Sequence, residues 1–257
     1  NIMSRVISLP VSQAEERTNR FVQEIRNRSN KLIEIFLVGY FVFGVGIAAY
    51  YDTWFIAFAV GGLLLVTYYL AKKMFPESTL NQYVASAAVG VFMGQFIYQM
   101  HGMFEMHFFA FIGATLMITY QNWKAQIPLT VVIVVHHAIF GYIQYQSFTT
   151  DSENVIYFTQ LDYMDLQTFI IHCFLAAVIS VICCLWAYDL NKRTRENARN
   201  ILAVEQITNK LTLNLEYASQ LANGVYDDNV DVDENDPLGS VLKELQSKLK
   251  DSSSIAK

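Results

Sequence analysis

The stretch His101-Gly102-Met103-Phe104-Glu105-Met106-His107 interrupts a long apolar run and sets three ionisable or metal-binding side chains within seven residues. Read as one helix, the run 83–120 would be about 57 Å long at ~1.5 Å per residue, nearly twice a hydrocarbon core of ~30 Å. The chain must turn inside it, and Gly102 is the natural place. The same stretch opens a wider pattern. His136 and His137 lie inside the next apolar segment and His172 inside the one after, so all five histidines sit in or beside apolar sequence.

Composition explains why that matters. The chain has 257 residues, 53% hydrophobic, 14% aromatic and only 16% charged, which is too apolar for an average soluble domain. The excess is concentrated between Leu32 and Cys184, while both ends are polar and charged. A membrane domain with soluble flanks follows. The formal net charge of −5 says little, because positive and negative residues are segregated along the chain.

Six apolar segments run at 32–51, 54–71, 83–101, 105–120, 126–146 and 167–189. Most reach the ~17–25 residues that a transmembrane helix needs, and the fourth is short. With six spans and an inside N-terminus, all 18 Lys and Arg residues fall on one face, and the opposite loops, near Asp52, around Gly102 and from Ser147 to Gln167, hold none. This is the positive-inside pattern, and five spans would break it. Residues 1–31 lack the apolar core and cleavage site of a signal peptide. Ser12-Gln13-Ala14-Glu15 instead forms a capping-box pattern, so a polar helix is expected from near Ser12 toward Lys31. Tyr50, Tyr51, Trp54, Tyr120, Trp123 and Tyr142 read as interfacial anchors.

That topology sets His101, Glu105 and His107 at the outer turn, His172 about one turn and a half inside the sixth span, and His136 and His137 near mid-depth. Polar side chains in hydrocarbon are costly unless partnered, and ionisable ones mark functional sites by default. A shared metal ion supplies the partner. The candidate ligands are His101, Glu105, His107, His136, His137 and His172, an N/O set that suits copper, iron, zinc or nickel rather than calcium or magnesium. Copper or iron is favoured over zinc, because gas or redox sensing needs an open-shell metal. Six ligands allow either a two-metal centre or one ion whose ligands are themselves held by hydrogen-bonded neighbours. A b-type haem held by two histidines on facing helices is the alternative. Cys173, Cys183 and Cys184 all fall on the sixth segment, suggest no disulfide, and read as small buried hydrophobes.

Beyond Asp189 the character changes. Ile201, Leu202, Val204, Ile207, Leu211, Leu215, Ala218, Leu221 and Ala222 recur at three- and four-residue intervals, a stripe narrow enough to need a partner helix. Gly224 ends it, Asp227 to Asp236 is an acidic connector, and Pro237 opens a helix with Leu238, Val241, Leu242, Leu245 and Leu249 on one face.

Ala218-Ser219-Gln220-Leu221-Ala222-Asn223-Gly224, the acidic linker and Asp236-Pro237-Leu238-Gly239 with its leucine-bearing helix resemble the HAMP linker of bacterial transmembrane receptors. The resemblance covers about residues 190–250 and lacks the proline near the start of the first helix. It implies a parallel homodimer that passes a signal to a downstream cytoplasmic module lying outside this chain. The pattern His101, Glu105, His107, Tyr120, Trp123, His136-His137 is similar to a histidine-rich multispan sensor region of bacterial chemoreceptors and diguanylate cyclases.

The expected fold is all-α: a cytoplasmic amphipathic helix in 1–31, a polytopic membrane bundle of six transmembrane helices in 32–190, and a cytoplasmic HAMP-like helical coiled coil in 191–257. The expected function is the input half of a chemoreceptor-like signal transducer in the bacterial inner membrane, with both termini cytoplasmic and no nucleic-acid partner. The competing class is a metal- or haem-dependent oxidoreductase or electron-transfer protein. A HAMP-like tail favours the receptor, since a catalyst has no need of a switching bundle.

Overall fold

Proline and glycine punctuate this chain at its helix ends. A computed structural model describes residues 11–76, 78–150, 156–160, 166–226 and 236–255, with side chains between 14 and 252, and all regular structure among the described residues is helical. Helix α1 (Val11–Tyr51) begins directly after Pro10, contains no proline, and merges the polar start with the first apolar segment. Helix α2 (Trp54–Met74) ends before Pro76, as the restriction on the residue preceding a proline requires. Helices α3 (Leu80–Gln99), α4 (Phe108–Ile118) and α5 (Gln126–Thr149) follow, with Pro128 tolerated in the first turn of α5. Helix α6 (Leu166–Ala222) runs without a break, and α7 (Pro237–Ile255) starts on its proline. The Ser12 side chain and all of the acidic connector except Asp236 lie outside the described part.

Among the described residues, four helices are long and apolar enough to cross a membrane: α1, α2, α5 with the turn before it, and α6. Helix α3 has the length but carries Asn81, Gln82, Gln95 and Gln99, and α4 with its preceding turn is a shorter apolar helix. The chain is therefore a helical membrane protein. Only 6% of the most apolar window of α6 is buried within the protein, leaving Ile170, Phe174, Leu175, Val181 and Leu185 exposed in a way that lipid, not water, accommodates.

The chain divides into two compact units, Gln23–Arg193 and the combination of Asn1–Val22 with Thr194–Lys257. In the first, α3 is the central element. Its Ala85, Val89, Phe92, Met93, Phe96 and Ile97 are all at most 1% exposed. Tyr40 and Phe43 of α1, Phe92 and Phe96 of α3, and Phe109 of α4 form a cluster of mostly edge-on rings with centroids 4.7–5.9 Å apart. Such contacts are each worth roughly 0.5–1.5 kcal/mol beyond burial. They count for more in lipid, where burial itself gives helices little reason to associate.

Polar groups inside this unit are tied to one another. The Gln99 amide donates to the Gly44 carbonyl at 2.9 Å and to Thr53 at 3.0 Å, and the Gln95 amide donates to Gln99 Oε1 at 2.9 Å. Gly44 is what allows this approach: a Cβ there would lie 2.8 Å from Gln95 Nε2. Toward the other end of α3, Asn122 donates to Gln82 at 2.8 Å and Ser86 accepts from the Leu129 backbone N–H, one of the first N–H groups of α5, at 2.9 Å. Glu34 of α1 accepts from Lys72 at 2.5 Å and from the Tyr68 hydroxyl at 3.2 Å.

In the second unit, Arg17 pairs with Glu205 at 2.9 Å. Tyr217 and Leu221 are buried against Tyr226 and Leu242, and the Tyr217 hydroxyl donates to Gln246. Gly224 takes φ +74 just past the end of α6, the left-handed conformation typical after a helix. Asp236 caps α7 by accepting from Gly239 N–H and also accepts from Asn214 at 2.7 Å. On α7, Glu244 and Lys248 pair at 2.7 Å, and that hydrogen bond together with the ammonium charge holds the carboxyl below its usual range.

Replacing Gln99 by Leu strands the Gln95 amide in a dry interior and removes the side-chain tie from α3 to Gly44 and Thr53, at a cost of about 1–3 kcal/mol for the group left unpaired. The expected outcome is a melting temperature several degrees lower in detergent, with Gln82→Leu, which orphans only Asn122, giving a smaller fall.

Candidate metal centre

The turn at Gly102 builds the site. Helix α3 ends at Gln99, the Gly102 N–H donates back to Ile97 at 2.8 Å, and Gly102 takes φ +76, which a side-chain-bearing residue rarely adopts. A 3₁₀ turn, Phe104–His107, then leads into α4, so His107 sits at the helix start with its ring turned inward and only 6% exposed. Opposite it, α5 presents His136 and His137, 9% and 5% exposed, and α6 presents a half-buried His172.

Three of these imidazoles form a triangle. Ring centroids are 5.6 Å apart for His107 and His137, 5.9 Å for His107 and His172, and 5.3 Å for His137 and His172. His136 adjoins His137 at 5.5 Å and stacks on Phe140 at 4.6 Å. His107 meets both partners nearly edge-on, and as the rings stand no three His, Cys, Asp or Glu side chains among the described residues converge closely enough to hold an ion.

The other two expected ligands lie apart from the triangle. His101, at φ +49, is exposed and stacks on Tyr51 at 3.8 Å and on Tyr157 at 5.9 Å. Glu105 is exposed at the surface of the 3₁₀ turn. Sequence spacing groups these two with His107, but a 3₁₀ turn of three residues per turn sends Glu105 and His107 to different sides.

Hydrogen bonding sets the chemistry of the triangle. His137 Nδ1 lies 2.8 Å from the Ile133 carbonyl, which only accepts, so Nδ1 carries the proton and Nε2 is left as a free base. A backbone carbonyl on the distal nitrogen is the arrangement that orients metal-binding histidines. His107 Nδ1 and His136 Nδ1 are sealed from water and make no hydrogen bond among the described residues. Each such orphan in a dry interior calls for a partner.

A short segment covers the triangle. Phe158, 2% exposed, has its ring 4.9 Å from His137, 5.2 Å from His107 and 6.0 Å from His136. Gln144 of α5 holds this segment, accepting from the Phe158 and Thr159 N–H groups at 2.7 and 2.8 Å and donating to the Thr159 carbonyl at 2.9 Å. Gln160 N–H donates to the Gly102 carbonyl at 3.0 Å. Thr159 backbone atoms would lie 2.6–2.7 Å from a Cβ on Gly102, so the glycine is required twice, for its φ and for this contact.

Sequence reasoning missed Phe158 and Gln144, which lie in or beside a polar loop and carry no local motif. It also passed over Glu34 and the Gln95–Gln99 pair. An ionisable residue two positions into the first apolar segment, and two amides one helical turn apart in the third, were available signals. No protein-family model, curated protein or solved structure matches the chain.

Gly102→Ala should displace residues 156–160. The expected outcome is amide hydrogen exchange at Phe158 and Thr159 faster by roughly tenfold or more, from the loss of about 1–3 kcal/mol of hydrogen bonding. Gln144→Leu should do the same without touching the turn. Unchanged protection in both variants would show that neither contact secures the segment.

Proposed function

We propose that this chain is the sensory input half of a transmembrane signal transducer, and that it binds a transition metal through His107, His137 and His172, with His136 as an adjoining ligand or support. The observation that carries the reading is the size of the triangle. Two imidazoles on one tetrahedral ion, with metal–nitrogen bonds of ~2.0–2.1 Å, have centroids about 5.2 Å apart. The three separations here are 5.3, 5.6 and 5.9 Å. Reorientation of the His107 ring, which meets the other two nearly edge-on, is the adjustment that binding would require. Three histidines leave a coordination position open, as a sensor of gas, redox state or the metal itself requires. The rings touch one another and Phe158, a packing that favours a bare ion over the broad macrocycle of a haem. Copper or iron is the metal proposed, and His101 and Glu105 are assigned to its approach path.

In this reading the protein spans the bacterial inner membrane six times with both termini in the cytoplasm, in keeping with its one-sided Lys and Arg residues. The continuous α6 carries His172 and extends to Ala222, so a shift at the ligand has a single helix along which to act. Residues from about 190 onward act as a HAMP-like switch in a parallel homodimer, through the exposed stripe of Ile201, Val204, Ile207, Leu211 and Leu215, and pass the signal to a cytoplasmic module. Signalling needs only that the bound state prefer one of two helix packings.

Elemental analysis and absorption spectroscopy of the purified chain test this. Copper or iron is expected without a Soret band, falling roughly tenfold or more in His107→Ala and in His137→Ala and retained in His101→Ala. A metal-free wild type that gains no metal on titration would overturn the site.

A further inference from the structure

The histidine triangle is closed off from outside: His107 and His137 are buried, and the Phe158 ring, buried itself, lies against both. Nothing reaches the free Nε2 of His137 unless some part of the protein moves. Parting the helices would break the ring cluster around Phe96 and the tie from Gln99 to Gly44. Lifting residues 156–160 breaks local bonds instead, among them three with Gln144 and one with the Gly102 carbonyl. Gln160 and His101 at that end are exposed, so the groups released there can turn to water, which makes a local opening far less costly than a global one.

We infer that residues 156–160 are a lid over the imidazoles and that His101 is its latch. The His101 ring stacks on Tyr51, the last residue of α1, with centroids 3.8 Å apart and planes 23° apart, and on Tyr157 of the lid at 5.9 Å and 21°. Three elements distant in sequence therefore meet through rings at one point: the end of α1, the turn at Gly102 and the lid. Tyr157 directly precedes Phe158, so a hold on its ring is a hold on the cover of the triangle. The lid follows from this geometry; its purpose, to set how fast a metal or gas exchanges at the triangle, rests on the metal site proposed above. A latch made equally with the site empty and filled favours neither state, so loosening it speeds entry and exit together and leaves affinity unchanged. Loss of a ligand, by contrast, would lower affinity.

The test uses diethyl pyrocarbonate, which adds a carbethoxy group to an unprotonated imidazole nitrogen, on the full chelator-treated chain in lipid nanodiscs. Mass spectrometry reads the modification residue by residue, with amide hydrogen exchange at Phe158 and Thr159 followed alongside. In the wild type, exposed His101 should react roughly tenfold or more faster than His137. His101→Asn, which keeps a residue tolerant of positive φ, and Tyr157→Ala should raise the His137 reaction and the amide exchange by the same factor, about three- to tenfold for the loss of a stack, with exchange in α3 unchanged. Gln144→Leu should raise both by more, and Tyr50→Ala, an exposed tyrosine beside the stack, should change neither. His137 reacting as fast as His101 in the wild type, or a His137 rate that stays constant while the amide exchange rises, would overturn the lid. Unchanged rates in both His101→Asn and Tyr157→Ala would overturn the latch. The probe is not a metal, so these outcomes stand whether or not the chain binds copper or iron.

Discussion

Everything near the histidines depends on the contact between Gly102 and the backbone of Thr159. A hydrocarbon core shorter than the apolar run 83–120 forces a reversal, and a reversal that tight needs a positive φ. The same absence of a side chain lets residues 156–160 lie directly on the turn, where Gln160 bonds to the Gly102 carbonyl. The reversal turns His107 inward toward α5 and α6, and the covering segment sets Phe158 over the rings. One residue thus ends a helix, turns His107 inward and lets the covering segment close over the imidazoles.

Around that turn, the polar groups follow the rule that a membrane interior supplies no water to satisfy them. Gly44, Gln95, Gln99 and Thr53 form one connected chain that links α1 and α3 to the start of α2, and Ser86 satisfies an N–H at the start of α5. Two of the buried polar atoms left without a partner, His107 Nδ1 and His136 Nδ1, belong to the cluster of imidazoles.

Much of the helical layout was legible. Proline and glycine positions, apolar run lengths and the flanking charges led to the turn at Gly102 and the ends at Gly224 and Pro237. Among the described residues the helices long and apolar enough to cross a membrane number four, because amides lower the apolar content of α3 and α4 is too short. Those amides carry the interior hydrogen bonding, so the feature that weakens the span signal is the one that organises the packing. The site was legible only in part. Intramembrane histidines stand out by cost, whereas Phe158 and Gln144 act through position alone.

Sequence by itself determined that this is a helical membrane protein with its histidines in or beside apolar segments, because helix period, segment length and the energetic cost of polar groups in lipid are local quantities. Tertiary structure decided which histidines meet. His107, His137 and His172 come from three helices and lie 65 residues apart at the extremes, while His101 and Glu105, close neighbours of His107 in the chain, point elsewhere. The reason is geometric: side-chain direction at a 3₁₀ turn and across helix contacts depends on rotation about each axis, which spacing along the chain does not specify.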